Sequence, residues 1–193
     1  MRLCVRNLKL SAKIPTQSLQ WIIAQCKSRS IRYKTFHNFV LLYVSDSSLR
    51  LTFFKKGEKA AKQHLNITGV SGFESLPKVL IFTANFLECQ VSDISYCIDN
   101  ITACTNVFPP NREDYELLSL PKVSTLVSSL GLETRLNSEL FAGLIIKNPH
   151  CTAILYSTGG LVIVGAKTLA TAYTLATLID EQCATTLTLL KTL

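Results

Sequence analysis

The sequence predicts an α+β fold in which two similar halves build one continuous antiparallel sheet, with helices on one face. Three observations lead there. The stretch NFVLLYVSDSSLRLTFFKKG (38–57) lies over LFAGLIIKNPHCTAILYSTG (140–159) without a gap, so that Phe39 falls on Phe141, Phe54 on Tyr156 and Gly57 on Gly159. Upstream, VRNLKLSAKI (5–14) and IDNITACTNV (98–107) each begin apolar-polar-Asn-apolar and continue in strand-like alternation. Downstream, each copy enters a short apolar strand ending in glycine, LNITG (65–69) and LVIVG (161–165), and then an apolar helix. A chain that says the same thing twice is read as two copies of one unit, here 1–92 and 93–193.

In the first copy the alternating strand 5–14 leads into a helix-like segment, TQSLQWIIAQCKS. The hairpin 38–57 follows, then the extra residues EKAAKQH, the strand 65–69 and the helix FESLPKVLIFTANFLE. The second copy runs from the strand 98–107 through REDYELLSLPKVSTLVSSLG, a helix-like stretch with a proline interruption. Its hairpin 140–159, strand 161–165 and helix TLATAYTLATLIDEQ complete the match. Alternation also assigns faces. Leu49, Leu51 and Phe53 share one side, with Cys151, Ala153 and Leu155 as their counterparts, and suit a helix-covered core. Arg50, Thr52 and Phe54, matched by Thr152, Ile154 and Tyr156, share the open side.

Composition bounds the function. Among 193 residues, 48% are hydrophobic and 17% charged, which argues for a packed domain rather than disorder. A net charge of +7 makes a polyanion a candidate partner. The 7 cysteines form no Cys-x-x-Cys pair, and His37, His64 and His150 add no ligand spacing, so no metal or other cofactor is expected. Buried free thiols in a reducing compartment are expected instead. MRLCVRNLKLSAKIP is too polar for a secretory signal. The apolar run 161–179 is interrupted by Lys167 and threonines, and reads as a strand entering a packed helix rather than a membrane span. No Ser-His-Asp set or carboxylate pair points to an enzyme.

The second half carries a further signal. ELFAGLIIK followed by ILYSTGGLVIVGAK resembles the second-repeat signature of the TATA-box-binding protein family. There Glu-Leu-Phe-Pro-Gly-Leu-Ile precedes a Phe-x-Ser-Gly-Lys hairpin ending Thr-Gly-Ala-Lys. Asn7 and Asn100 fall where the family has its paired asparagines, and the likeness is strongest over residues 98–180. The resemblance implies a saddle whose concave underside lies on the minor groove of A/T-rich double-stranded DNA, as in a divergent TATA-binding protein or a TATA-binding-protein-related factor. Carried over by position, the aromatic wedges that kink the duplex would be Phe39 with Phe54 and Phe141 with Tyr156. Phe36 with Phe53 is a rival first pair. The floor would be Asn7, Lys9, Asn66, Thr68, Asn100, Thr102, Val162 and Val164. Glu139 and Leu140 would contact a transcription factor IIB-like protein, beside other basal factors, in the nucleus or at a viral transcription site.

This sequence departs from the family at Tyr156 (a phenylalanine is expected), at Ala142 (a proline), and at Lys9 and Asn66 (apolar in the family). Two functional classes therefore follow from the resemblance. One is a promoter-binding initiation factor; the other is a saddle-shaped protein-interaction scaffold that has lost specific TATA binding.

Overall fold

The computed structural model describes residues 2–45, 47–57, 60–107 and 117–191, with side chains up to Thr186. The chain divides into two compact units: Arg6–Asp99, and Met1–Val5 together with Asn100–Leu193. The amino-terminal part of the sequence forms β1 (Cys4–Ile14), α1 (Leu19–Ser28), β2 (Arg32–Thr35), β3 (Phe39–Tyr43), β4 (Arg50–Phe54), β5 (Gln63–Val70) and α2 (Leu76–Leu87). The remainder forms β6 (Ser95–Asn106), α3 (Leu120–Ser129), β7 (Glu133–Arg135), β8 (Gly143–Lys147), β9 (Thr152–Tyr156), β10 (Gly160–Ala166) and α4 (Leu169–Lys191). Strand order is β2-β3-β4-β5-β1 in the first unit and β6-β10-β9-β8-β7 in the second. Every pairing within a unit is antiparallel.

Each unit has a sheet covered by its helices on one face. In the first, Leu10, Ala12, Ile14, Val40, Leu42, Leu51, Phe53, Leu65 and Ile67 are at most 1% exposed, as are Ile22 and Cys26 of α1 and Phe86 and Leu87 of α2. Phe86 is the meeting point: its ring centroid lies 5.6 Å from Phe53 of β4 and 6.3 Å from Trp21 of α1. In the second unit Ile101, Ala103, Leu144, Ile146, Ala153, Leu155, Leu161 and Ile163 are sealed in the same way. Val123 and Val127 of α3, with Ala172, Leu175, Ala176 and Ile179 of α4, cover them. Burying one large apolar side chain contributes about 1.5–3 kcal/mol, so this face dominates the stability of each unit.

The helix boundaries follow from local chemistry. The Ser18 hydroxyl caps α1 by accepting from the Trp21 N–H at 3.0 Å. Glu88 ends α2 in a left-handed conformation (φ 55°). Pro121 does not interrupt the second-half helix, as the sequence suggested, but stands in the first turn of α3, where no intrahelical donor is lost. Residues 108–116, which include the first five of that expected helix (112–116), lie outside the described residues, as do Glu58 and Lys59 of the extra hairpin segment.

The run 161–179 is β10 followed by α4, and among the described residues no helix is long and apolar enough to cross a membrane. All seven cysteines are free. Burial pushes the Cys26 thiol up to about 11 and the Cys183 thiol up to about 12, leaving both protonated and unreactive at neutral pH. Cys4 and Cys97, at or near the starts of β1 and β6, are exposed rather than buried, because the first residues of both strands lie outside the buried core.

The two hairpins are equivalent strand pairs, but the match between them is not gapless. In the first, Tyr43 pairs with Arg50 across the loop 44–49; in the second, Lys147 pairs with Thr152 across 148–151, a loop two residues shorter. β4 and β9 keep the alignment read from the sequence, with Phe54 on Tyr156. β3 shifts by two residues against β8, so the place opposite Phe54 is held by Phe39 and the place opposite Tyr156 by Gly143. The equation of Phe39 with Phe141 is corrected accordingly.

The two faces have separate roles in stability. Phe53→Ala should destabilise by about 3–5 kcal/mol in urea unfolding, whereas Phe54→Ala, on the uncovered face, should cost less than about 1 kcal/mol.

Candidate nucleic-acid interface

The uncovered face is built row by row, since residues paired across antiparallel strands point to the same side. In the first unit one row runs Arg32, Tyr43, Arg50, Thr68, and the next runs Lys34, Leu41, Thr52, Asn66, Ser11. Two guanidinium groups approach the Tyr43 ring, Arg32 at 5.1 Å and Arg50 at 5.6 Å from its centroid. The matching rows of the second unit are Glu133, Lys147, Thr152, Val164 and Arg135, Ile145, Ile154, Val162, Cys104. There Glu133 and Arg135 neutralise one another through a 2.7 Å ion pair. The first repeat's rows thus carry three cations, Arg32, Lys34 and Arg50, and no acid, whereas the second's carry Lys147 and Arg135 with Glu133 and are otherwise mostly aliphatic.

The four aromatics named from sequence meet in two clusters, one per unit. Phe39 and Phe54 are register partners with centroids 5.8 Å apart. Phe141 and Tyr156 lie 6.1 Å apart. Phe53 is fully buried against Phe86, so the rival pair Phe36–Phe53 does not share a face. Phe36 nevertheless joins the first cluster, stacking on Phe39 at 4.3 Å with 48% of its surface exposed. The close spacing of Phe36 and Phe39 is the signal in the sequence that marks this third ring.

In the second cluster the Phe141 ring fills the space over Gly143: a Cβ there would lie 2.8 Å from its Cε1. One aromatic thus reaches the same place by two routes, directly from the strand as Phe39, or folded back over a glycine as Phe141. Among the described residues the Tyr156 hydroxyl makes no hydrogen bond.

The eight floor residues are half-buried, none of them part of either core. The two asparagines are anchored identically. Asn7 Oδ1 accepts from the Gly69 N–H at 2.9 Å, and Asn100 Oδ1 accepts from the Gly165 N–H at 2.5 Å. Both glycines have positive φ, 84° and 86°, and both sit where the ladder register shifts, between Leu8 and Leu10 and between Ile163 and Ala166. Each Oδ1 is thereby committed to a backbone donor, which leaves the donors of each Nδ2 for other acceptors. The glycines LNITG and LVIVG were visible in the sequence as strand ends; their bond to the asparagines was not.

Glu139 and Leu140 lie in the turn before β8. Asn137 builds this turn, its Oδ1 accepting from the Glu139 N–H at 3.2 Å and its carbonyl from the N–H groups of Leu140 and Phe141. Leu140 is 84% exposed. Among the described residues no group of three or more His, Cys, Asp or Glu side chains is placed to hold a metal ion.

No protein-family model matches the chain, and no curated protein matches it. Its architecture does match solved structures. Methanococcus jannaschii TBP, a TATA-box-binding protein, superposes with a TM-score of 0.73 over 95% of this chain and 99% of its own, at 16% identity. The chain thus has the α+β fold of a TATA-box-binding protein. A rolling circle replication initiator from Geobacillus stearothermophilus (TM-score 0.38, 12% identity, 93% of this chain and 79% of its own) resembles it much less. The regulatory subunit of aspartate kinase from Thermus thermophilus (TM-score 0.27, 10% identity, 96% and 95%) is more distant still.

The two asparagine anchors should respond unequally to change. At Gly69 a Cβ would meet the Ser48 carbonyl oxygen at 2.0 Å, whereas at Gly165 the nearest atom is 3.8 Å away. Gly165→Ala should cost only the positive-φ strain, about 1–2 kcal/mol. Gly69→Ala, which must also displace backbone, should lower the urea midpoint distinctly further.

Proposed function

We propose that this chain binds A/T-rich double-stranded DNA through the minor groove, kinks it with aromatic wedges, and serves as a transcription initiation factor. The observation that carries the reading is the aromatic cluster, which recurs in both repeats on the face that no helix of its unit covers. Unstacking a base step costs a few kcal/mol, offset when an apolar ring fills the gap and the bent duplex meets more protein. Phe36, Phe39 and Phe54 supply rings with no polar group in the first repeat. Phe141 does so in the second, where the Tyr156 hydroxyl must exchange water for a base edge or phosphate.

The floor suits the same ligand. A·T and T·A pairs both present acceptors in the minor groove, and the guanine amino group is the one donor there. The amide donors of Asn7 and Asn100 fit either A·T orientation. Thr68, Thr102, Val162 and Val164 offer methyl groups that leave no room for that amino group. Lys9 and Asn66 make the first half of the floor more polar. The turn bearing Glu139 and the exposed Leu140 suits docking of a transcription factor IIB-like protein.

Two measurements test this. The first is affinity at fixed salt with duplex bending followed by end-to-end fluorescence transfer. Phe141→Ala should abolish bending at its end, Phe54→Ala should cost more than Tyr156→Ala, and Tyr156→Phe should strengthen binding by relieving about 1–3 kcal/mol of desolvation. Unchanged affinity in all four variants would turn the reading to the protein-interaction scaffold. The second is a pull-down with a transcription factor IIB-like protein. Glu139→Arg should weaken that complex while leaving DNA affinity of the free protein nearly intact; equal loss of both would exclude the docking role.

A further inference from the structure

An acid reaches the uncovered face of the first unit. In β1 Leu8, Leu10, Ala12 and Ile14 are at most 1% exposed, so alternation sets Asn7, Lys9, Ser11 and Lys13 on the uncovered side. Ser11 ends the row that runs through Thr52 and Asn66, and its hydroxyl lies 3.5 Å from Asn66 Oδ1. The same hydroxyl donates to Oδ2 of Asp99, the last residue of this unit. Asp99 is half-buried, and its Oδ1 accepts from the Cys97 thiol at 3.6 Å. That thiol also reaches the Ser11 carbonyl at 3.7 Å. The carboxylate is thus held from two directions, by a floor strand and by its own.

Asp99 differs in kind from the floor residues. Asparagine and threonine can donate and valine is neutral, whereas a carboxylate only accepts. It has about four acceptor positions, and Ser11 and Cys97 engage one oxygen each. A·T pairs present only acceptors in the minor groove, adenine N3 and thymine O2, which repel such a group. The one donor on that edge is the guanine 2-amino group. Lys9 and Lys13 flank Ser11 on the same side of β1, roughly 7 Å along the strand in each direction, and offset the charge of the carboxylate against a duplex.

We propose that Asp99, positioned by Ser11, is a specificity residue that accepts a hydrogen bond from a guanine 2-amino group, so that this chain selects one G·C pair within an otherwise A/T-rich site. The proposal rests on the DNA-binding reading above. Methyl groups exclude the amino group where Thr68, Thr102, Val162 and Val164 stand, but the floor beside Ser11 is polar. In the matching row of the second unit the place of Ser11 is held by Cys104. In the repeat alignment Asp99 corresponds to Arg6, a cation that cannot accept. The preference is therefore confined to one position.

The test uses an A/T-rich duplex in which each pair in turn is replaced. The replacements are G·C, inosine·C, which lacks the 2-amino group, and 2,6-diaminopurine·T, which adds it to an A·T pair. At one position affinity at fixed salt should rise about five- to tenfold, the lower end of what a base contact discriminates, for G·C and 2,6-diaminopurine·T but not for inosine·C. Asp99→Ala should lose that preference, with urea unfolding to verify its fold. Glu74→Gln, which removes an acid at the approach to α2, should keep it. Equal affinity for G·C and inosine·C at every position overturns the proposal and leaves the DNA-binding reading standing, and this wild-type comparison decides even where Asp99→Ala does not fold. A preference retained in Asp99→Ala, or lost equally in Glu74→Gln, overturns it as well. Failure of the wild type to bind any duplex overturns instead the reading beneath, and the proposal with it.

Discussion

The controlling constraint is that each strand has two faces and only one of them is sealed. Side chains alternate strictly between the faces, so every β residue is committed either to the helices or to the uncovered side. A slip of one residue in β4 would exchange Phe53, packed on Phe86, for Phe54. Hydrophobic burial on the helix side holds the register against such a slip, and that register is what sets Arg50, Thr52 and Phe54 in an ordered column on the other side. The uncovered face makes no comparable contribution to stability, which leaves it free to carry arginines, asparagines and half-exposed rings.

The asparagine–glycine contacts occur where the ladder would otherwise fail. A register shift leaves backbone groups without ladder partners, and an unpaired half-buried N–H is costly. Asn7 and Asn100 supply the missing acceptor to Gly69 and Gly165, and only glycine holds the positive φ there without strain. One side chain therefore does two things. It repairs the bulge, and by committing its oxygen to the backbone it leaves its amide nitrogen as a donor for other acceptors. That the arrangement occurs twice, at 2.9 and 2.5 Å, ties it to the repeat rather than to local accident.

Much of this was legible in the chain because alternation and repetition are properties of sequence. The covered and uncovered sides of β4 and β9, the helices closing each half and the second-repeat signature all follow from residue order. The hairpin offset was not legible. The aligned phenylalanines Phe39 and Phe141 suggested equal spacing, but the loop 44–49 is longer than 148–151, and only ladder pairing shows which residue faces which. Phe36 was named only as a rival to Phe39; that it stacks on Phe39, a ring outside the strand packed on one within it, needed the structure. Long-range contacts such as Gln63, whose amide bridges the Phe54 carbonyl of β4 and the Gln17 N–H before α1, leave no periodic trace.

The two repeats thus share a scaffold and differ in what they present. In the first, Phe39 stands directly on the strand and is backed by Phe36, on a face whose further rows carry Lys34, Arg32 and Arg50. In the second, Phe141 folds back over Gly143 beside Tyr156, near Ile145, Ile154 and Val162, with Glu133 cancelling Arg135 and Lys147 the remaining cation of those rows. Contacts to phosphate weaken as salt rises, because they release condensed counterions. Apolar insertion is not screened in this way. On the proposed DNA-binding reading, the contacts of the first repeat would therefore be the more salt-sensitive of the two. Sequence divergence between copies of one unit has produced this inequality without disturbing the register on which both depend.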